Sequence, residues 1–410
     1  MKNTLPNHEG FSTVETYEPT SIVPSLAERI DISTIDDPAI IEIIERERTV
    51  PVKIGIDSSL RPKILDKCGM TCNFCHNEGT PVASAHDKRT FIPFPDYGGG
   101  RVSVFERTNG VDFLPGQMMP NSEFEHALRS MMVATNATEL HMTGGEPTLH
   151  RDLPELIRIA KSLGYSVKIT SNGENGAQQI ERCAAEGLDK INFSIFGTTP
   201  EELAAVQHSK YKNEKLAQAK LRALHRSIDT AIKFGVEVGA NIVMSDYSHA
   251  ERVARIIDTY GDSVSIRILN DLDAGDTSYL AIYKFLAELQ AEPIELTVEA
   301  GTSNSRVKYR LPDGSEIYFK QIRRTTLPET CGDCSLNNEN DCNEGYYGLR
   351  MYVDTQGQYK IGVCIQRMDL TTNIDDFLNS SVPEEILDFR ESEYNQLVEY
   401  YADRPKEDAC

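Results

Sequence analysis

The chain has 410 residues, 40% of them hydrophobic, enough for one large domain or a large and a small one. Its 63 acidic and 42 basic residues give a formal net charge of −21, which argues against nonspecific binding to nucleic acid or to an anionic membrane surface. No apolar run of about 18 residues exists, so no transmembrane helix is expected. The polar opening residues lack the apolar core of a secretory signal, which makes the cytoplasm the expected location.

Residues 1–60 read as an N-terminal extension with a short helical pattern at 37–48. KILDK (63–67) reads as a strand running into Cys68, the start of a core spanning 61–290. Residues 78–120, rich in Gly and Pro, are too long for an ordinary connection and read as an insertion or lid. Helical and strand patterns then alternate. Strands are expected at 139–144, 166–170, 190–196, 236–244 and 263–269, with helices at 122–134, 153–164, 175–187, 213–234, 249–261 and 278–290. Short apolar strands separated by helices mean βαβ units and a parallel sheet. Six such strands predict an α/β fold, a partial (βα)6 TIM-like barrel. Its strand ends carry Cys68, Gly144, Asn172, Ser194, Asn241 and Leu269, where parallel α/β folds bind ligands. Residues 291–370 turn β-rich and predict a small C-terminal domain, and 371–410 an acidic, partly helical tail.

Seven of the nine cysteines fall in two groups, which in a cytosolic protein points to metal rather than disulfides. Cys183 reads as a small buried hydrophobe and Cys410 as free. Cys68, Cys72 and Cys75 are spaced C-x3-C-x2-C. Three thiolates at this spacing can ligate three irons of a cubane and leave the fourth open. A zinc site with His76, a redox C-x-x-C pair and the haem c attachment pattern Cys72-Asn-Phe-Cys75-His76 are the competing readings. Cys331, Cys334, Cys342 and Cys364 could hold structural zinc or a second Fe–S cluster. Arg323 and Arg324 are candidates for clamping an anionic substrate. Lys168 and Arg267 lie on barrel strands, facing the site or paired with a buried carboxylate.

The cysteine loop together with Gly144-Gly145-Glu146-Pro147 resembles the radical S-adenosylmethionine (SAM) superfamily. That resemblance implies a SAM-binding 4Fe–4S cluster on Cys68, Cys72 and Cys75, with Phe74 against the adenine. It implies that the backbone and glutamate of the GGEP segment hold the SAM amino group. Asn172, Ser194 and Asn241 would hold the ribose or the methionine carboxylate, and Ile268-Leu269 would flank the adenine. It further implies reductive cleavage of SAM to a 5′-deoxyadenosyl radical, which takes hydrogen from a substrate. A flavodoxin or ferredoxin is the expected reductant. The second cysteine group, with Glu344-Gly-Tyr-Tyr-Gly-Leu-Arg350, Asp354 and Gly357, looks like the GTP 3′,8-cyclase family of molybdenum-cofactor biosynthesis. In that family three cysteines hold a second cluster whose open iron faces the substrate. Here there are four cysteines and a longer gap, so Cys342 could close the cluster, as in SPASM-type peptide-modifying enzymes. A small nucleotide-like substrate is the leading expectation and a peptide the alternative. An Fe–S carrier or zinc scaffold without SAM chemistry is the reading from another class, against which Glu146 beside the cluster argues.

Overall fold

A computed structural model describes residues 22–72, 74–75, 116–208, 212–261, 263–272, 274–338, 342–365, 367 and 370–404. The expected lid lies outside the described residues except for 116–120, as do His76 and Cys410.

The N-terminal part folds as α1 (Leu26–Arg29), α2 (Pro38–Glu47), β1 (Val52–Ile56) and β2 (Ser59–Pro62). Asp37 caps α2 by accepting from the Ala39 amide, Pro38 starts it, and Ile40, Ile43, Ile44 and Glu47 form its buried stripe. The expected strand at 63–67 lies one step upstream. The sheet pairing ends at Lys63, which bridges Thr143. A buried Lys63–Asp66 ion pair at 2.5 Å then shapes the exit toward Cys68. Ile64 and Leu65 gave the segment its strand-like pattern, and both are buried in the loop.

The following elements are α3 (Ser122–Thr135), β3 (Glu139–Met142), α4 (Leu153–Ser162), β4 (Ser166–Ser171), α5 (Gly176–Ala185), β5 (Lys190–Ser194), α6 (Pro200–Ala205), α7 (Glu214–Lys233), β6 (Glu237–Met244), α8 (Ala250–Tyr260), β7 (Ser265–Asn270) and α9 (Asp276–Glu288). β2 to β7 pair in parallel, in chain order. The expected curled half-barrel of six parallel strands is therefore present, with α6 as an added helix. Strand side chains alternate. Val167, Ile169, Ile191, Phe193, Ile242, Ile266 and Ile268 are buried on the helix side. Lys168, Lys190, Asn192, Asn241 and Arg267 alternate with them and face the concave side.

The C-terminal part adds β8 (Glu292–Ala300), β9 (Asn304–Arg310), β10 (Glu316–Ile322), β11 (Leu349–Val353), β12 (Tyr359–Gly362), β13 (Thr372–Asn373), α10 (Ile374–Leu378) and α11 (Val382–Tyr400). Its strands extend the barrel sheet on both edges instead of forming a separate sheet. The sheet order is β1-β8-β9-β10-β7-β6-β5-β4-β3-β2-β11-β12-β13. Among the described residues no helix is long and apolar enough to cross a membrane.

Candidate active site

The first cysteine group leaves β2 as a loop zipped to the turn after β3. The Gly145 amide donates to Leu65 O at 2.9 Å and the Glu146 amide to Lys67 O at 2.8 Å. No side chain fits in this seam. A Cβ on Gly145 would lie 2.2 Å from Lys67 O, and one on Gly144, whose φ is +153°, would lie 2.5 Å from Leu65 O. Pro147 then starts a single 3-10 turn, Pro147–Leu149.

Glu146 is 1% exposed. Its Oε1 accepts from the Thr148 amide, the Thr148 hydroxyl and the Ser171 hydroxyl, and its Oε2 accepts from the Asn172 amide at 2.6 Å. Burial pushes this carboxyl above its usual range, against the pull of those donors. Within the protein, therefore, Glu146 ties the β3 turn to the end of β4 and orients Asn172. Asn172 Oδ1 caps the next turn by accepting from the Glu174 amide, and its Nδ2 donates to Cys68 Sγ at 3.4 Å.

Two further residues hold the cysteine loop. Glu174 accepts from the Gly69 amide at 2.6 Å and pairs with Lys220 at 2.5 Å. Gln207 spans Thr71 and Cys72. Neither stands out in the sequence, where each is one polar residue beside a turn. Burial pushes the Cys72 thiol up to about 12 and the Cys68 thiol above its usual range. Phe74 is half-exposed and packs on Phe196, ring centroids 5.1 Å apart. Ser194 and Asn241 are register partners on the concave face, and Asn241 Oδ1 is buried without a hydrogen-bond partner.

These residues fit a cluster and SAM. Three thiols share one loop with N–H donors aimed at two sulfurs, a glycine seam lies beside them, and an orphan acceptor sits on the concave face of the sheet. Ile268 is a correction. Its side chain has no exposure and packs on the helix side of β7, whereas Leu269 alternates to the concave face.

The Arg323/Arg324 clamp is corrected as well. Arg323 is fully buried. It pairs with Glu393 at 3.1 Å and donates to Val23 O, Glu299 O and Thr302 O. Arg324 donates to Cys342 O at 2.7 Å and to Asn337 Oδ1, so it braces the second cysteine loop. Cationic side chains gather instead on the concave face. The Tyr347 ring has the Arg61 guanidinium 4.4 Å and the Lys320 ammonium 4.6 Å from its centroid. Lys320 also hydrogen-bonds the Tyr347 hydroxyl. Burial would raise that hydroxyl, but Lys320 and Arg61 outweigh it and leave it below its ordinary value. Arg267 bonds Asn192 Oδ1, and its buried Nε has no partner. Burial, with Arg306 nearby, lowers Arg267 to about 10. Lys168, by contrast, is paired with Glu139 at 2.5 Å.

Cys331, Cys334, Cys342 and Cys364 all line one cavity, with Asn337, Tyr346 and Arg367. Arg367 donates to Cys334 Sγ at 3.5 Å. Among the described residues no three His, Cys, Asp or Glu side chains are grouped to hold a single metal ion. Zinc needs its thiolates about 2.3 Å from one centre, whereas a cubane spreads its ligands over separate irons. Either group would draw on the same four cysteines.

Residues 63–260 match the family model of the radical SAM superfamily. GTP 3′,8-cyclase 1 of Mycobacterium tuberculosis is 25% identical over 289 residues, 67% of this chain and 69% of that protein. A probable GTP 3′,8-cyclase of Thermoplasma volcanium is 21% identical over 326 residues, 77% of this chain and 82% of that protein. Among solved structures, Streptococcus suis SuiB is similar with a TM-score of 0.44 and 15% identity, over 85% of this chain and 69% of that one.

Proposed function

From the premise that residues 63–260 are those of a radical SAM protein, we propose an enzyme that acts on a small anionic, nucleotide-like substrate held inside the half-barrel. The observation that carries the substrate class is the cationic concave face of a chain whose net charge is −21. Arg61 and Lys320 lie over the Tyr347 ring and Arg267 bonds Asn192 nearby, and none of the three forms an ion pair with a carboxylate among the described residues, although Glu237 and Glu344 lie close enough to act on this cluster. Leaving cations unpaired in a partly desolvated cavity costs free energy, and an anionic ligand recovers it. The similarity to GTP 3′,8-cyclases supports a nucleotide as the first substrate to try.

Cys68, Cys72 and Cys75 would hold the SAM-binding cluster. The backbone of 144–147, Asn172, Ser194 and Asn241 would seat SAM, with Phe74 as the aromatic wall. When bound, cluster and SAM supply the one-electron chemistry that takes hydrogen from an unactivated C–H bond. The chain's own part is placement: the Gly144-Gly145 seam fixes the loop against the β3 turn, and Glu146 fixes Asn172 against Cys68. The second cavity would hold an auxiliary cluster. Cys342 lines it with the other three cysteines, so all four would ligate that cluster and leave no iron open. This favours substrate anchoring by the cationic face over chelation at an open iron. An exogenous flavodoxin or ferredoxin would supply the electron.

The test is anaerobic reconstitution with iron and sulfide, then addition of SAM and dithionite. Methionine and 5′-deoxyadenosine are expected, and Cys72→Ala is expected to abolish both. Intact SAM with a fully iron-loaded protein would sink the reading. With GTP and other nucleoside triphosphates as trial substrates, Arg61→Ala should weaken binding by on the order of tenfold, the worth of one charge-assisted contact. Tight binding of a neutral peptide, unaffected by Arg61→Ala, would support the peptide alternative instead.

A further inference from the structure

Besides its contacts with the strand ends, the cysteine loop has a bed of its own. Met70 and Cys72 belong to a small apolar cluster completed by Leu203 and Ala204 of α6 and Ala217 and Leu221 of α7, separate from the main core. Gln207, 9% exposed just after α6, is the polar link between this bed and the loop. Its backbone bridges Cys72, and the His208 amide donates to Thr71 O at 2.7 Å. Its Oε1 accepts from the Thr71 amide at 2.7 Å and from the Thr71 hydroxyl at 3.3 Å. A backbone N–H can only donate, so the carbonyl end of the amide must face Thr71. The NH2 end is thereby aimed at Cys72 Sγ, 3.6 Å away. Cys72 is buried, at 5% exposure.

Resting on the radical SAM reading above, we infer that Gln207 is a positioning residue for the SAM-binding cluster and sets its reduction potential through an N–H···S hydrogen bond to Cys72. A donor on a ligating sulfur favours the more negative, reduced cluster and so raises the potential. Thr71 makes this bond directional: it orients the amide without touching the sulfur. The same helical pair braces the other flank of the loop, through Lys220 of α7 and Glu174 to the Gly69 amide.

The test compares Gln207→Glu, Gln207→Met and Gln207→Asn with the parent, all reconstituted, by EPR-monitored redox titration. The cluster is identified by the change in its signal when SAM is added, which separates it from any second cluster. Gln207→Glu keeps the acceptor for Thr71 but replaces the donor with an anion. At fixed solution potential its ratio of reduced to oxidised cluster should fall about tenfold, 59 mV for one electron. Gln207→Met loses both bonds, so its ratio should fall as well and its iron should leave to a chelator about tenfold faster. Gln207→Asn should lie between the parent and Gln207→Met. Iron loss in Gln207→Met with an unchanged ratio in Gln207→Glu would overturn the inference and leave Gln207 as backbone support. A parent protein with no SAM-sensitive signal would overturn the radical SAM reading itself, and the inference with it.

Discussion

Glu47 has no exposed surface, yet it is a carboxyl group set between α2 and the outer wall of the sheet. Gln321 donates to it at 2.7 Å and Tyr283 at 3.3 Å, and Tyr309 also bonds it. Burial nevertheless dominates and pushes its pKa up to about 7. The folded state therefore holds this proton more tightly than the unfolded chain, whose carboxyl titrates at 4.5. Its contribution is fully present below pH 4.5 and is lost as pH rises through about 7. Glu47→Gln removes that titration. Between pH 5 and pH 8 the stability of the parent relative to the variant should drop by on the order of 2–3 kcal/mol, measured by urea unfolding at each pH. An equal difference at both values would show that the carboxyl is not held in this way. The sequence did not reveal Glu47, because an isolated acid on a helical stripe reads as surface until its partners arrive from β9, β10 and α9. The cysteines and the GGEP segment were legible because their spacing is local. Of the pair Ile268-Leu269 only Leu269 faces the concave side, because one residue along a strand is the difference between its two faces.

At the scale of elements, the barrel strands after β2 and their helices were readable because period 2 and period 3.6 alternate cleanly along 122–290. What the sequence concealed was the work of α11. Its acidic, weakly apolar composition reads as a solvated tail, yet it supplies one partner to each of two buried ion pairs. Glu393 accepts from the Gly301 amide and pairs with Arg323. Arg390 pairs with Asp57 at 3.0 Å and donates to Thr135 O. Arg323 thus looked like a ligand-binding cation because its partner lies 70 residues away. Glu393→Gln leaves Arg323 buried without its counter-charge and should cost about 3 kcal/mol in a denaturant titration. Nucleotide affinity should stay within twofold of the parent, the opposite pattern to Arg61→Ala. Weakened nucleotide binding in Glu393→Gln at unchanged stability would return Arg323 to the substrate site.

At the scale of the molecule, one sheet is closed by segments from both ends of the chain. β1 pairs with β8 across about 240 residues of sequence, in parallel, from Val52↔Leu296 to Ile56↔Ala300. β11 pairs with β2, also in parallel. No local pattern announces such pairings, so residues 1–60 read as an extension and 291–370 as a separate domain. The same stitching places the second cysteine cavity on the β11–β12 flank, while the first loop lies on α6 and α7. Cys331, Cys334 and Cys342 are fixed by Arg324, Asn337 and the Thr325–Gly345 bridge, none of which touches Gln207, Glu174 or the 144–147 turn. Sites without shared partners behave additively. The reconstituted protein should therefore carry about eight irons, four for each cluster. Cys331→Ala with Cys364→Ala should bring this to about four, with the SAM-sensitive EPR signal and its midpoint unchanged. Zinc in the second cavity, with about four irons in the parent, would replace the auxiliary cluster by a structural ion. Loss of the SAM-sensitive signal in the double variant would show that the two cysteine groups fold as one unit, because removing ligands at the β12 end would then have unseated a loop at the end of β2.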